Sequence, residues 1–155
     1  MAKVGRGLQI PLSWIPGSSG FCPPGAISVD DVYIIRSKHS GELLPGKLVP
    51  MHGKCYCPYG GRELESIDYE VLCESCIPGS SKGYSWEIAC GGDVPKHAIV
   101  AGIAKDGEAL YIAKGNVNGE TCIGKVHEGH PCAYLPWGGQ EHSVYEYEVL
   151  VWRKH

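Results

Sequence analysis

The chain has 155 residues, 43% of them apolar and 20% charged, and a formal net charge of −3. That composition belongs to a folded globular protein and excludes a disordered one. Charges of both signs are scattered, so there is no basic stripe for nucleic acid and no polybasic segment for a membrane surface.

Twenty-two glycines and eleven prolines against a single phenylalanine describe a chain of turns and strands. In chain order, the opening segment MAKVGRGLQIPLSW lacks the apolar run of an export signal. A cytoplasmic location, or release by a non-classical route, is therefore expected, and the eight cysteines are expected as reduced thiols. Strands are predicted around residues 26–29, 32–36, 47–50 and 67–73, and again at the equivalent places after Pro95. The closing segment YEYEVLVW alternates most cleanly, setting Tyr145, Tyr147, Val149 and Val151 on one packed face and Glu146, Glu148 and Leu150 on the other.

The chain also repeats itself. Residues 32–74 align without a gap on residues 110–152, with 16 of 43 positions identical. Upstream, Ser13-Trp14, Gly20, Pro23 and Ala26-Ile27 match Ser85-Trp86, Gly92, Pro95 and Ala98-Ile99, at an offset of 72 instead of 78. Six extra residues therefore enter the second copy near Ala101–Gly107, where a loop tip would absorb them. The expected fold is all-β: two tandem antiparallel β-sheet modules, residues 1–77 and 78–155, related by a pseudo-twofold axis. Modules of this size have small cores, so a shared core or an exchanged strand is expected between them.

The order W…G…P…AI, then LYI, GE…GK, a Pro-aromatic-Gly-Gly-x-Glu turn and a final YEVL resembles the DM-nine repeat family, which includes mannose-specific bivalve lectins and natterin-like modules. The resemblance runs from Trp14 to Trp152 and occurs twice. It implies a homodimer with one monosaccharide site per repeat, held by a loop Asp and by the Lys of the glycine-lysine turn. The lysine maps onto Lys47 and Lys125. For the carboxylate, Asp30 and Asp31 stand in the first copy, and Asp106 and Glu108 stand in the second.

A pyranose offers vicinal hydroxyls on an apolar ring, so a site needs carboxylate acceptors, an ammonium donor and often an aromatic face. Glu42 and Glu120 precede Lys47 and Lys125 by five residues, and the spacing predicts that each pair converges on one ligand across a turn. Glu63 and Glu141 are expected to accept backbone N–H groups within their own double-glycine turns. Tyr59 and Trp137 are either core residues or stacking platforms. His52 and His130 either line the lysine pocket or cap a loop. Glu70 and Glu148 are expected on a solvent face. Cys55, Cys57, Cys73 and Cys76 have metal-like spacing, but cysteine alternates with small or apolar residues between the copies, as buried filler does.

The expected function is a multivalent, metal-independent lectin for mannose-type glycans, with no cofactor and no catalytic role. The resemblance adds recognition of microbial sugars. A scaffold with a decayed site and, behind it, a glycosidase acting through two carboxylates are the alternatives.

Overall fold

A computed structural model describes residues 2–4, 8–74 and 83–153. Sixteen strands and one 3-10 turn, Pro50–His52, account for its regular structure. In the first lobe β5 (Val32–His39), β6 (Glu42–Val49), β7 (Lys54–Tyr59) and β8 (Arg62–Ser66) form an antiparallel meander. β9 (Asp68–Glu74) returns beside β5, and β3 (Leu12–Ser18) lies against β9.

The second lobe repeats the pattern. β12 (Ala109–Val117), β13 (Glu120–His127), β14 (Ala133–Trp137) and β15 (Gln140–Val144) form the meander, with β16 (Glu146–Trp152) and β10 (Tyr84–Cys90) beyond β12. Register is kept as well: Ile34 faces Lys47 as Ile112 faces Lys125, and Trp14 faces Leu72 as Trp86 faces Leu150. The structure is thus all-β and pseudo-twofold, as the internal repeat predicts.

The lobes join along strand edges. β8 meets β15 at Arg62 and Gln140. β11 (Ile99–Ile103) meets β6 at Leu43, and β1 (Ala2–Val4), itself paired with β2 (Leu8–Ile10), pairs with β11 of the opposite lobe. The six extra residues do not all sit at a loop tip. They lengthen β11 relative to its counterpart β4 (Ser28–Val29), and the added backbone finds its hydrogen-bonding partner on the other lobe. The expected boundary at residue 77 lies outside the described residues.

Three apolar clusters fill the interior. One is centred in the first lobe on Ile35, Leu44, Leu48 and Val71, with Ala104 and Leu110 of the second copy packed into it, and another in the second lobe on Cys122, Val126, Leu135 and Val149. The third, with Leu12, Ile27, Ile34 and Leu72 from one copy and Ile99, Ile112, Ile123 and Leu150 from the other, is common to both. A small module cannot enclose enough apolar surface alone, and this shared layer makes up the shortfall.

Cys55, Cys57 and Cys73 lie in the first lobe's cluster, while Cys76 is outside the described residues. Among the described residues, no group of three His, Cys, Asp or Glu side chains is arranged to hold a metal ion.

Glu70 and Glu148 face solvent in part, each side chain 36% exposed, whereas Tyr145, expected on the packed face of the closing strand, precedes β16 and is 65% exposed. Glu70 pairs with Arg36 at 2.8 Å and Glu148 with Lys114 at 2.7 Å, and each cation sits over a tryptophan, Trp14 at 4.3 Å and Trp86 at 4.6 Å. These are duplicated cation–π clamps whose carboxylates stay partly solvated.

A candidate sugar site built across the two lobes

The glycine-lysine pair has a steric origin. Strand β7 runs so close to β6 that a Cβ on Gly46 would collide with the Tyr56 carbonyl oxygen and lie 2.8 Å from Cys57 Sγ. Gly124 is equally closed in by the Tyr134 carbonyl and by Leu135 Cα at 3.1 Å. Only glycine allows this approach, and it sets the next residue, Lys47 or Lys125, beneath the neighbouring tyrosine.

Lys47 is only 6% exposed. A buried ammonium requires compensation, and it comes from Glu63 Oε2 at 3.7 Å, Cys122 Sγ at 3.5 Å and the Tyr56 ring at 5.7 Å. The carboxylate lies beyond ordinary hydrogen-bond length and a thiol accepts weakly, so the ammonium keeps donor capacity. Lys125 is placed alike, with Glu141 Oε2 at 3.6 Å and the Tyr134 and Tyr59 rings at 5.8 and 5.6 Å. Glu141 Oε2 is itself buried without a hydrogen-bond partner.

The other carboxylate oxygens tie the lobes together. Glu63 Oε1 accepts the Gly139 N–H at 2.9 Å and Glu141 Oε1 accepts the Gly61 N–H at 3.2 Å. The main chains of Glu63 and Glu141 add reciprocal bonds to the Gly139 and Gly61 carbonyls, at 3.1 and 3.0 Å. Each glutamate therefore serves the double-glycine turn of the opposite copy, not its own as the spacing predicts. The turns can meet this way because Gly60, Gly61, Gly138 and Gly139 take φ values of 57°, 81°, 60° and 81°, a region that side chains disfavour.

The consequence is exchange of aromatic residues between lobes. Trp137, of the second copy, lines a cleft of about 640 Å³ together with Asp30, Asp31, Lys47, His52, Glu63 and Glu120. Its indole N–H donates to Glu120 Oε2 at 2.7 Å, which fixes the ring. Thr121 donates its hydroxyl to Asp30 Oδ2 and closes the rim from the second lobe. His52 Nδ1 lies 2.7 Å from the Tyr56 hydroxyl and lines the same cleft. Asp30 holds a positive φ of 52° in the turn between β4 and β5, where Asp is tolerated better than most residues.

The expected partnership of Glu42 with Lys47, and of Glu120 with Lys125, does not survive. Each pair is separated by five residues along one continuous strand, about 17 Å at the usual rise. Glu120 instead shares the cleft with Lys47 of the other copy. Asp106 and Glu108 do not line this cleft. Asp106 Oδ1 accepts the Glu108 N–H at 2.9 Å within the exposed turn after β11. Where Thr121 meets Asp30 in the first site, its counterpart Leu43 is covered by Ile103 of the lengthened strand.

Kinship follows from the repeat itself, since the DM9 repeat matches residues 28–144. The chain belongs to the DM9 repeat family. It is 30% identical over 142 residues to Natterin-4 of Thalassophryne nattereri, covering 90% of this chain and 33% of that protein. With Natterin-3 of the same fish it shares 30% over 97 residues, covering 63% of this chain and 23% of the relative. The DM9 chain therefore spans about a third or less of these relatives. Among solved structures, the nematode sperm cell motility protein MFP2B superposes with a TM-score of 0.64 over 92% of this chain and 45% of that one, at 16% identity. That likeness shows the fold alone. DM9 kinship supports a lectin-like module.

Proposed function

We propose that this DM9-repeat protein is a non-enzymatic lectin that binds mannose-type sugars at the cleft above Lys47, with an equivalent but altered site at Lys125. The observation that carries this reading is the placement of Trp137, a fixed aromatic face from one lobe, in the same cleft as the buried Lys47–Glu63 pair of the other. The ring offers a surface for the apolar face of a pyranose, Lys47 donates to a hydroxyl oxygen, and Asp30, Asp31 and Glu120 accept from hydroxyl protons. A shallow monosaccharide site is weak alone. Two sites per chain, multiplied by the homodimer that the resemblance implies, would gain strength on a surface presenting many sugars, as microbial glycans do.

Isothermal titration calorimetry with mannose tests this. The expected result is saturable binding that is unaffected by chelator, lost at the first site in Lys47→Ala and lost altogether when Lys125→Ala is added. Undiminished heat in the double variant would remove both lysines from the site.

A further inference from the structure

The two sites share a lysine, a glutamate and a tyrosine but differ in the charge of their rims. In the first cleft, Lys47 is balanced by Glu63 and Glu65 is balanced by Lys54 at 3.0 Å. That leaves Asp30, Asp31 and Glu120, all of which line the cleft, without an ion-pair partner among the described residues. Among the described residues, Asp30 and Glu120 are hydrogen-bonded by neutral donors, the Thr121 hydroxyl and the Trp137 indole. Those donors orient the carboxylates without cancelling their charge. His52 and Tyr56, the remaining titratable groups lining the cleft, bond to each other.

Around Lys125 the arrangement is different. Glu42 replaces Glu120 by alignment, but Tyr59, the counterpart of Trp137, has its ring against His39 at 4.8 Å. The place of the Asp30 contact is taken by Ile103 pairing with Leu43.

A concave site with three uncompensated carboxylates concentrates cations. Resting on the sugar-binding reading above, the geometry points to an amino sugar with a free ammonium group as the preferred ligand of the first cleft, over the corresponding neutral hexose. The ring stacks on Trp137, hydroxyls engage Lys47 and Glu63, and the ammonium faces the Asp30, Asp31 and Glu120 rim. Acetylation of the amine would remove the charge and with it the preference.

The test is a calorimetric comparison of mannose, mannosamine and N-acetylmannosamine with the full chain near pH 6.5, where an amine of this kind is protonated. The expected result is mannosamine bound about fivefold to tenfold tighter than mannose, the size of one or two partly exposed ion pairs, with the N-acetyl sugar no better than mannose. About 1 M salt, which shortens the screening length to about 3 Å, and the Asp31→Asn variant should each bring the mannosamine-to-mannose ratio toward one. Equal affinities in the wild-type protein, or a ratio indifferent to both salt and Asp31→Asn, would overturn the proposal while leaving the lectin reading in place. Failure of all three sugars to bind would overturn both.

Discussion

Glu63 accepts the amide of Gly139 at 2.9 Å with one oxygen and faces Lys47 with the other at 3.7 Å, so a single carboxylate both joins the lobes and compensates the lysine of the site. Replacement of Glu63 by Gln keeps an acceptor for Gly139 but leaves a buried ammonium without its counter-charge. The expected cost is about 1–3 kcal/mol of stability, with weakened mannose binding. Glu63→Ala should cost more, because the amide is then unpaired as well. Denaturant midpoints of the two variants check the order, and equal midpoints would mean that the Gly139 bond contributes nothing.

Trp137 reports on the cleft directly. Of the four tryptophans only Trp137 lines it, whereas Trp14 and Trp86 lie under cations elsewhere. Mannose should change the intrinsic fluorescence of the wild-type protein. Trp137→Phe should abolish that response and weaken affinity, since the phenyl ring cannot donate to Glu120. A response retained in Trp137→Phe would place the ligand away from this cleft.

Gly46 tests the steric account of the glycine-lysine pair. A methyl group there meets backbone and thiol with no flexible neighbour to yield, and overpacking of this kind costs about 1–3 kcal/mol. Gly46→Ala should lower the melting temperature by roughly 2–4 °C per kcal/mol for a chain of this size and should weaken sugar binding by moving Lys47. A calorimetric melt unchanged from wild type would show that β7 can retreat.

Tyr147 gives a pH dependence. Burial, its main perturbation, pushes its hydroxyl up to about 12, and the hydroxyl donates to the Asp93 carbonyl at 2.8 Å. The folded state therefore holds this proton where the unfolded chain, titrating near 10, has begun to release it. The contribution is complete below about pH 10 and is lost as pH rises toward 12. Urea midpoints across that interval should fall, and the fall should be shallower in Tyr147→Phe. Parallel curves for the two proteins would assign alkaline instability to other groups.

Thiol labelling checks the interior. Cys122 is fully buried, and burial raises its thiol above the usual range. Cys57 is raised well above it by its hydrogen bond to Cys55 and by burial. Cys90 and Cys132 are half-buried. Iodoacetamide near pH 8 should therefore label Cys90 and Cys132 in the native protein and reach Cys57 and Cys122 only after unfolding, as read by peptide mass spectrometry. Early labelling of Cys122 would show that the cleft opens to its floor.

Much of this protein was legible in the order of its residues. The repeat set the number of lobes and their pseudo-symmetry, and the family resemblance pointed to the lysine of each glycine-lysine pair, which lies in mid-strand and not in a turn. Asp30, Asp31 and Glu120 also line the cleft, but nothing local to them reveals that they meet there. The partner of each residue was not legible, because spacing along a chain measures contour length while a site is formed by strands distant in sequence. Glu42 looked close to Lys47 only because five residues were taken to span a turn, and on one continuous strand they span its length. Glu63 was assigned to its own turn because the facing turn lies 76 residues away, and Trp137 stayed open between core and stacking platform because the lysine whose cleft it lines lies 90 residues away. One faint signal existed: an aromatic residue and a glutamate flanking the double glycine in both copies suit a turn that meets its twin. Sequence by itself determined the β modules and their duplication, through alternation and the internal match, while the family resemblance pointed to the lysines. Only the tertiary structure decided that residues of both lobes line one cleft, because the double-glycine turns, distant in sequence, meet through reciprocal hydrogen bonds.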